Sequence, residues 1–351
     1  MAAVIEINGR RIGPGYPTYI IAEMSANHNQ DFNQAVKIIE AAKQAGADAI
    51  KLQTATPDTI TLDSDRPEFI VDGGSLWAGQ TLYRLYQQTY TPWEWQPKLM
   101  EIAATMGLDC FSSPFSFEAV DFLNELAVPA FKVASFELVD IPLIEHIARN
   151  GKPIIMSTGL AFLSEVDEAL RAARAAGADQ VALLKCNSAY PAPPEEMNLR
   201  TIPHLMNSYH LPVGLSDHTM QSAVAVAAVS LGACIIEKHL TLSRAVPGPD
   251  SAFSMEPHEF KEMVENIRTV EKALGQVNYD PTPKELVNRN FRRSLFIVRD
   301  VKKGERFTPS NVRSIRPGHG LPPKYLPDIL AARAACEIEA GTPVRWELIS
   351  H

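Results

Sequence analysis

Eight short apolar runs recur along the first 240 residues, at 18–26, 49–55, 109–115, 130–137, 153–159, 181–189, 213–218 and 234–240. Each is apolar on both faces, which reads as a strand covered from two sides. Between them lie helical stretches such as FNQAVKIIEAAKQAG and EVDEALRAARAAG, each ending on a Gly suited to a left-handed C-cap. Strand–helix alternation repeated eight times predicts a (β/α)8 TIM barrel, an α/β fold. The competing open, doubly wound sheet is disfavoured, because the first strand runs into Glu23-Met24-Ser25-Ala26-Asn27 and not into a Gly-rich phosphate turn.

The texture changes after a last long helix near 257–274. YDPTPKELVNRNFRR, with Pro281 and Pro283, reads as a linker leading into a short helix. From Arg293 onward, period-two apolar character and turns at Gly304 and Gly341 predict a small β-rich domain. The organisation expected is therefore a barrel over 1–275, a linker over 276–292 and a C-terminal cap over 293–351. Length agrees, since 351 residues exceed the roughly 250 of a typical barrel by one small appendage.

Charge alters this picture in one respect. The net charge of −8 disfavours a nucleic-acid partner, yet residues 291–351 hold 11 Lys/Arg against 6 Asp/Glu. A basic cap over an acidic body can dock electrostatically or help hold an anion. No apolar run approaches the roughly 20 residues that span a bilayer, and MAAVIEINGRRIG has no signal-peptide core, so no membrane partner and cytoplasmic residence are expected. Cys110, Cys186, Cys234 and Cys336 lack paired spacing and read as reduced thiols.

The candidate chemistry lies in polar residues where barrel strands should be apolar. Glu23, Ser25 and Asn27 follow one another at spacing two, as do Lys51 and Gln53. Ser112-Ser113 end the third strand, and Lys132 leads to Ser135 and Glu137 in the fourth. Cys186-Asn187-Ser188-Ala189-Tyr190, Ser216-Asp217-His218 and Glu237-Lys238-His239 end the last three. Lys51 and Lys132 inside a barrel need anionic partners, which would be Glu23 or Glu137 in structural ion pairs, or else a bound anion. Barrel active sites form where strand C-termini converge, which favours the anion. His218 and His239 tip adjacent strands and point to an open metal site, with Asp217 and Glu237 placed to orient the rings. Ser113, Ser135, Ser188 and Ser216 add a hydroxyl cradle for a small polyanion.

Taken in order, IAEMSANHN, IKLQT, FSSPF, FKVASFE, STG, CNSAYPAP, VGLSDHT, IEKHLTL and PGPDSAFSMEP resemble the sialic acid synthase family over essentially the whole chain, and the C-terminal part resembles its antifreeze-like (SAF) cap. Within the family the likeness is to the pseudaminic acid synthases, carried by Gly73-Gly74-Ser75-Leu76-Trp77, Thr81-Leu82-Tyr83, Tyr90-Thr91-Pro92-Trp93-Glu94-Trp95 and Arg316-Pro317-Gly318. Trp77 and Trp93 are weighed equally as sugar contacts and as loop packing. The chain departs from the family pattern at His319, where an aromatic residue is expected, and at Asn187, where Thr is expected.

The resemblance implies a synthase that condenses phosphoenolpyruvate with the open-chain aldehyde of 2,4-diacetamido-2,4,6-trideoxy-altrose and water, giving pseudaminic acid and phosphate. It implies that His218 and His239 bind Mn2+, or Mg2+ or Co2+ in its place. Lys132, Ser135, Ser188 and Ser216 would hold the phosphate, and Lys51 and Ser113 the carboxylate. Glu23, ionised between two lysines, would move a proton. Gln53, Tyr190, Asp250 and Arg316 would contact the sugar, Arg316 coming from the partner's cap in a domain-swapped homodimer. The alternatives are a neuraminate or legionaminate synthase, a Schiff-base barrel aldolase with Lys132 as nucleophile, and a non-catalytic carbohydrate- or ice-binding protein.

Overall fold

The structure, a computed structural model, describes residues 4–71 and 76–350. Gly73, Gly74 and Ser75 of the loop singled out above lie outside the described residues. Contacts divide the chain into two compact units, Met1–Gly275 and Gln276–His351.

The first unit opens with a hairpin, β1 (Ile5–Ile7) and β2 (Arg10–Ile12), turned at Asn8 and Gly9 with φ of 47° and 78°. Two consecutive left-handed residues are what a two-residue turn between right-twisted strands requires. The hairpin buries Ile5, Ile7 and Ile12 in the barrel's core cluster. It is tied to the N-terminal ends of the barrel strands through Gln180 and Asp109.

Eight parallel strands then close into a barrel: β3 (Tyr19–Glu23), β4 (Ala49–Thr54), β5 (Asp109–Pro114), β6 (Phe131–Val133), β7 (Ile154–Ser157), β8 (Val181–Cys186), β9 (Val213–Asp217) and β10 (Ile235–His239), with β10 pairing back onto β3. The helix Phe32–Gln44 shows how the outer layer forms. The Asp31 carboxylate accepts from the amides of Asn33 and Gln34, and Ala35, Ile38, Ile39 and Ala42 recur at helical spacing to form the buried stripe. The chain then turns at Gly46, whose φ of 87° is left-handed and where a Cβ would press on Val264 Cγ1 at 3.2 Å.

Two strands are shorter than their apolar runs suggest. Strand β3 stops at Glu23, because Ser25 takes φ of 46° and Ser25–His28 wind into a 3-10 turn. Glu23, Ser25 and Asn27 therefore do not share a strand face, and the Asn27 amide instead donates to Leu240 O and Ser254 Oγ. Strand β6 stops at Val133; Ser135 is helical in its backbone and Glu137 lies in the 3-10 turn Phe136–Val139.

In the second unit the segment from 276 to 292 is exposed throughout and carries a short α-helix, Pro283–Asn288, capped by Thr282 and followed by a 3-10 turn, Arg289–Phe291. Beyond it, β11 (Ser294–Ile297) pairs antiparallel with β12 (Val312–Ile315), and β13 (Arg333–Ala334) with β14 (Ile349–Ser350). Leu295, Ile297, Val301, Phe307, Val312, Ile329 and Val344 belong to a separate small core. Among the described residues no helix is long and apolar enough to cross a membrane.

Candidate active site

Strand register decides which polar residues meet. Glu23 stands beside His239 on one side and Lys51 on the other, and Ser216 stands between Cys186 and Glu237. Neighbours in register point to the same side of a parallel sheet, so these groups converge inside the barrel at its C-terminal mouth.

Two buried lysines form one side of this mouth. Lys51 Nζ lies 2.6 Å from Glu23, 3.6 Å from Glu237 and 3.2 Å from Ser113 Oγ. Lys132 Nζ donates to Ser157 Oγ at 2.7 Å and to Val133 O at 3.1 Å, and lies 3.9 Å from Glu237. The carboxylate shared by both lysines is thus Glu237, not Glu137. Glu137 lies in the turn after β6, and its Oε2 has no hydrogen-bond partner among the described residues. Ser157, which pattern reading left aside, is the hydroxyl that aims Lys132. Its signal was the STG tripeptide at the end of the fifth run.

Burial pushes the Glu23 carboxyl up to about 7; Lys51 opposes the shift and Glu237 adds to it. This corrects the expectation of a fully ionised Glu23, since desolvation outweighs the neighbouring ammonium. Burial works against the Lys51 charge, but Glu23 and Glu237 more than offset it. For Lys132, burial wins and the pKa falls.

A hydroxyl cradle adjoins the lysines. The Gly159 amide donates to Ser135 Oγ at 3.1 Å. A Cβ on Gly159 would lie 2.3 Å from Ser188 Oγ and 2.6 Å from Ser135 Oγ, so the two serines close on a place that only glycine leaves open. Cys186 Sγ lies 3.8 Å from Ser188 Oγ.

The imidazole pair forms the opposite side, with ring centroids 5.3 Å apart. His218 Nδ1 donates to Asn187 O at 2.7 Å, so in the neutral ring the lone pair lies on Nε2. The group that orients this ring is a backbone carbonyl, and the expected orienters do other work. Asp217 pairs with Lys238 at 2.8 Å, and Glu237 faces the lysines. Asn187, which stands where Thr is expected, makes the contact with His218 through its backbone and not its side chain. Burial, then the charges of His218 and Lys51, keep His239 neutral, well below the usual imidazole range. Its Nδ1 has no hydrogen-bond partner among the described residues. Burial opposes charge on His218, but the Cys186 thiol and the Asn187 carbonyl raise its pKa above the ordinary imidazole value, so a cation there would displace a proton. With it gone, two nitrogen donors beside buried carboxylates fit a divalent cation of the imidazole-binding kind. Among the described residues no third His, Cys, Asp or Glu completes a protein-only cage. That leaves coordination positions for water or substrate.

An aromatic wall flanks the imidazoles. Tyr190 packs 4.4 Å from His218 and 5.0 Å from Phe253, and Phe253 lies 5.0 Å from His239. Trp77 joins at 5.9 Å from Tyr190, its indole N–H donating to Pro249 O at 2.9 Å. Trp93 instead stacks on Phe122 at 4.9 Å and donates to Ala55 O, a packing role. Gln53 Nε2 donates to Glu23 Oε1 and Ser25 Oγ, both at 3.0 Å, and the Ser25 hydroxyl donates to Asp250, whose carboxylate also accepts from the Ala26 amide. The barrel thus brings together every proposed site residue except Arg316. Arg316 is exposed in the second unit, just after β12.

An eight-stranded parallel barrel with buried lysines, carboxylates and imidazoles at its C-terminal mouth defines a (β/α)8-barrel enzyme. The chain belongs to the NeuB family, whose model matches residues 38–279, while a SAF domain model matches 292–350. The chain is 45% identical to the pseudaminic acid synthase of Helicobacter pylori, over 93% of this chain and 96% of that one. It is 35% identical to the N,N'-diacetyllegionaminic acid synthase of Legionella pneumophila, over 98% of each. The crystal structure of the spore coat polysaccharide biosynthesis protein spsE of Bacillus subtilis superposes with a TM-score of 0.67, at 34% identity and 99% coverage of both chains.

Proposed function

We propose that this enzyme condenses phosphoenolpyruvate with 2,4-diacetamido-2,4,6-trideoxy-altrose and water to form pseudaminic acid and phosphate. The observation that carries the reading is the two-sided mouth, with lysines and a hydroxyl cradle facing a pair of imidazoles lined by aromatic rings. The choice of sugar follows the 45% identity to pseudaminic acid synthases, and an aromatic wall suits a sugar bearing methyl groups in place of hydroxyls.

Lys132, Ser135, Ser188 and Ser216 hold the phosphate, and Lys51 and Ser113 the carboxylate. Gln53, Tyr190 and Asp250 hold the sugar with its aldehyde carbon facing the enol. The new C–C bond joins the enol CH2 carbon to that aldehyde carbon, whose oxygen gains a proton. Water adds to the former enol carbon and gives up one proton to Glu23, which passes it to the sugar oxygen, while its second proton leaves with the phosphate. Breaking that carbon's bond to the bridging oxygen then releases phosphate and leaves the keto acid. A divalent ion held by His218 and His239, Mn2+ before Mg2+ or Co2+, supplies Lewis acidity to the aldehyde oxygen when bound. Arg316 reaches the sugar from the second unit of a partner copy in a homodimer; sedimentation of the intact chain as a monomer would remove that element.

Phosphate release is the test, followed with phosphoenolpyruvate, Mn2+ and either the altrose sugar or N-acetylmannosamine. Release with the altrose sugar alone, stopped by chelator and leaving no borohydride-trapped adduct, is expected. Release only with N-acetylmannosamine, or a trapped lysine adduct, would overturn the reading.

Gly159→Ala should raise the KM for phosphoenolpyruvate about tenfold, because a methyl group would force Ser135 and Ser188 apart and forfeit about one charge-assisted hydrogen bond. The sugar KM should move less than twofold. An unchanged phosphoenolpyruvate KM would take the serines out of the anion site.

A further inference from the structure

Each histidine of the pair is preceded by a charged residue, Asp217 before His218 and Lys238 before His239. Neighbours on a strand point to opposite sides, so the charged side chains face away from the mouth, toward the helical layer. There the two strands are in register, Lys238 opposite Asp217, and both residues are almost completely buried.

Lys238 Nζ has three acceptors. One is Asp217 Oδ2 at 2.8 Å, and the other two are backbone carbonyls, Thr219 O at 2.5 Å and Asp217 O at 3.5 Å. The Asp217 carboxylate also accepts from the Thr219 amide at 2.9 Å. The chain on both sides of His218 is therefore bonded to the residue that precedes His239. An ammonium has three protons and no acceptor, so this one is fully committed.

We infer that Lys238 is a positioning residue that fixes the separation of the His218 and His239 rings, and through it the affinity of the metal site. The inference rests on the reading of the histidine pair as metal ligands. A buried ion pair is weak evidence for a stabilising role, since packed apolar residues commonly do as well. An apolar residue could not hold the two carbonyls that flank His218, and that is the distinctive act of Lys238. The ring of His239 has greater need of such a support than most, because among the described residues its Nδ1 lacks the hydrogen bond that usually orients a metal-binding imidazole.

The test uses the intact chain and a double variant, Lys238→Met/Asp217→Leu, because Lys238→Met alone strands a buried carboxylate. Mn2+ binding is read from the electron paramagnetic resonance of free Mn2+, phosphoenolpyruvate binding by calorimetry without metal, and folding by thermal unfolding. In a cooperatively folded double variant the Mn2+ Kd should rise about 10- to 100-fold, the range for lost supports behind metal ligands, with phosphoenolpyruvate affinity within about twofold of wild type. An unchanged Mn2+ Kd would overturn the inference. So would Mn2+ and phosphoenolpyruvate affinities falling by one factor, which marks general loosening. If His239→Ala binds Mn2+ as the wild type does, or the wild type shows no saturable binding, the histidine-pair reading itself fails and the inference falls with it.

Discussion

Replacing His239 by alanine is expected to lower kcat by about a thousandfold or more and to remove saturable Mn2+ binding, while phosphoenolpyruvate still binds. A Lewis acid at a developing alkoxide supplies several kcal/mol, and about 4 kcal/mol corresponds to three powers of ten in rate. Phosphoenolpyruvate should be spared because the lysines and the Gly159 cradle do not depend on His239 for their geometry. Lys132 is aimed by Ser157 and Val133 O, and Ser135 by the Gly159 amide. The variant opens a cavity beside Phe253 and Tyr190, so thermal unfolding must be measured alongside. Chelation of the wild type should give the same kinetic defect without the cavity. A His239→Ala enzyme that folds normally and keeps more than about a tenth of its turnover would show that the imidazole pair does not support the chemistry.

What made the site legible in the sequence was the cost of burying it. Lysine, glutamate and histidine at barrel strand tips have no packing rationale, and all eight strands fall within the apolar runs read as strands. Pairings were harder to read. Which carboxylate meets Lys132 depends on strand register, and a sequence cannot state that register; hence Glu237 and not Glu137. Backbone groups are equally invisible, so the Asn187 carbonyl behind His218 could not be anticipated. Some of the remainder was available. Parity alone says that Asp217 and Lys238 face away from inward-pointing histidines, and the Asn8-Gly9 pair between Ile5-Ile7 and Ile12 is a two-residue hairpin signal. The early ends of β3 and β6 carried no such signal, because Ser25 and Ser135 leave extended geometry at residues that permit it but do not require it.

Glu23→Gln is expected to lower kcat/KM by about 10^2- to 10^4-fold, the usual contribution of a positioned general base, and to erase one limb of the pH profile. The sign follows from which form is active. Burial raises the carboxyl from its ordinary value to about 7, so at pH 6 most of it is protonated. A base must be ionised to take the proton from water, so wild-type kcat/KM should climb with pH through about 7 and level off above it. Had Lys51 dominated over burial, the carboxyl would be ionised throughout and the profile flat from pH 5 upward. In Glu23→Gln the amide oxygen can still accept from Lys51, while its NH2 faces Gln53 and needs that side-chain amide to turn its oxygen toward it, so thermal unfolding is measured beside the loss of the limb. Two other groups compete for that limb: Glu137, which burial also raises to about 7, and the Cys186 thiol. Burial would raise that thiol, but the hydrogen bond with His218 brings it down to about 7; a limb unchanged in Cys186→Ser leaves the two carboxyls. The two variants separate them. A limb that persists in Glu23→Gln but vanishes in Glu137→Gln would move the proton transfer from β3 to the turn after β6 and overturn the role assigned to Glu23.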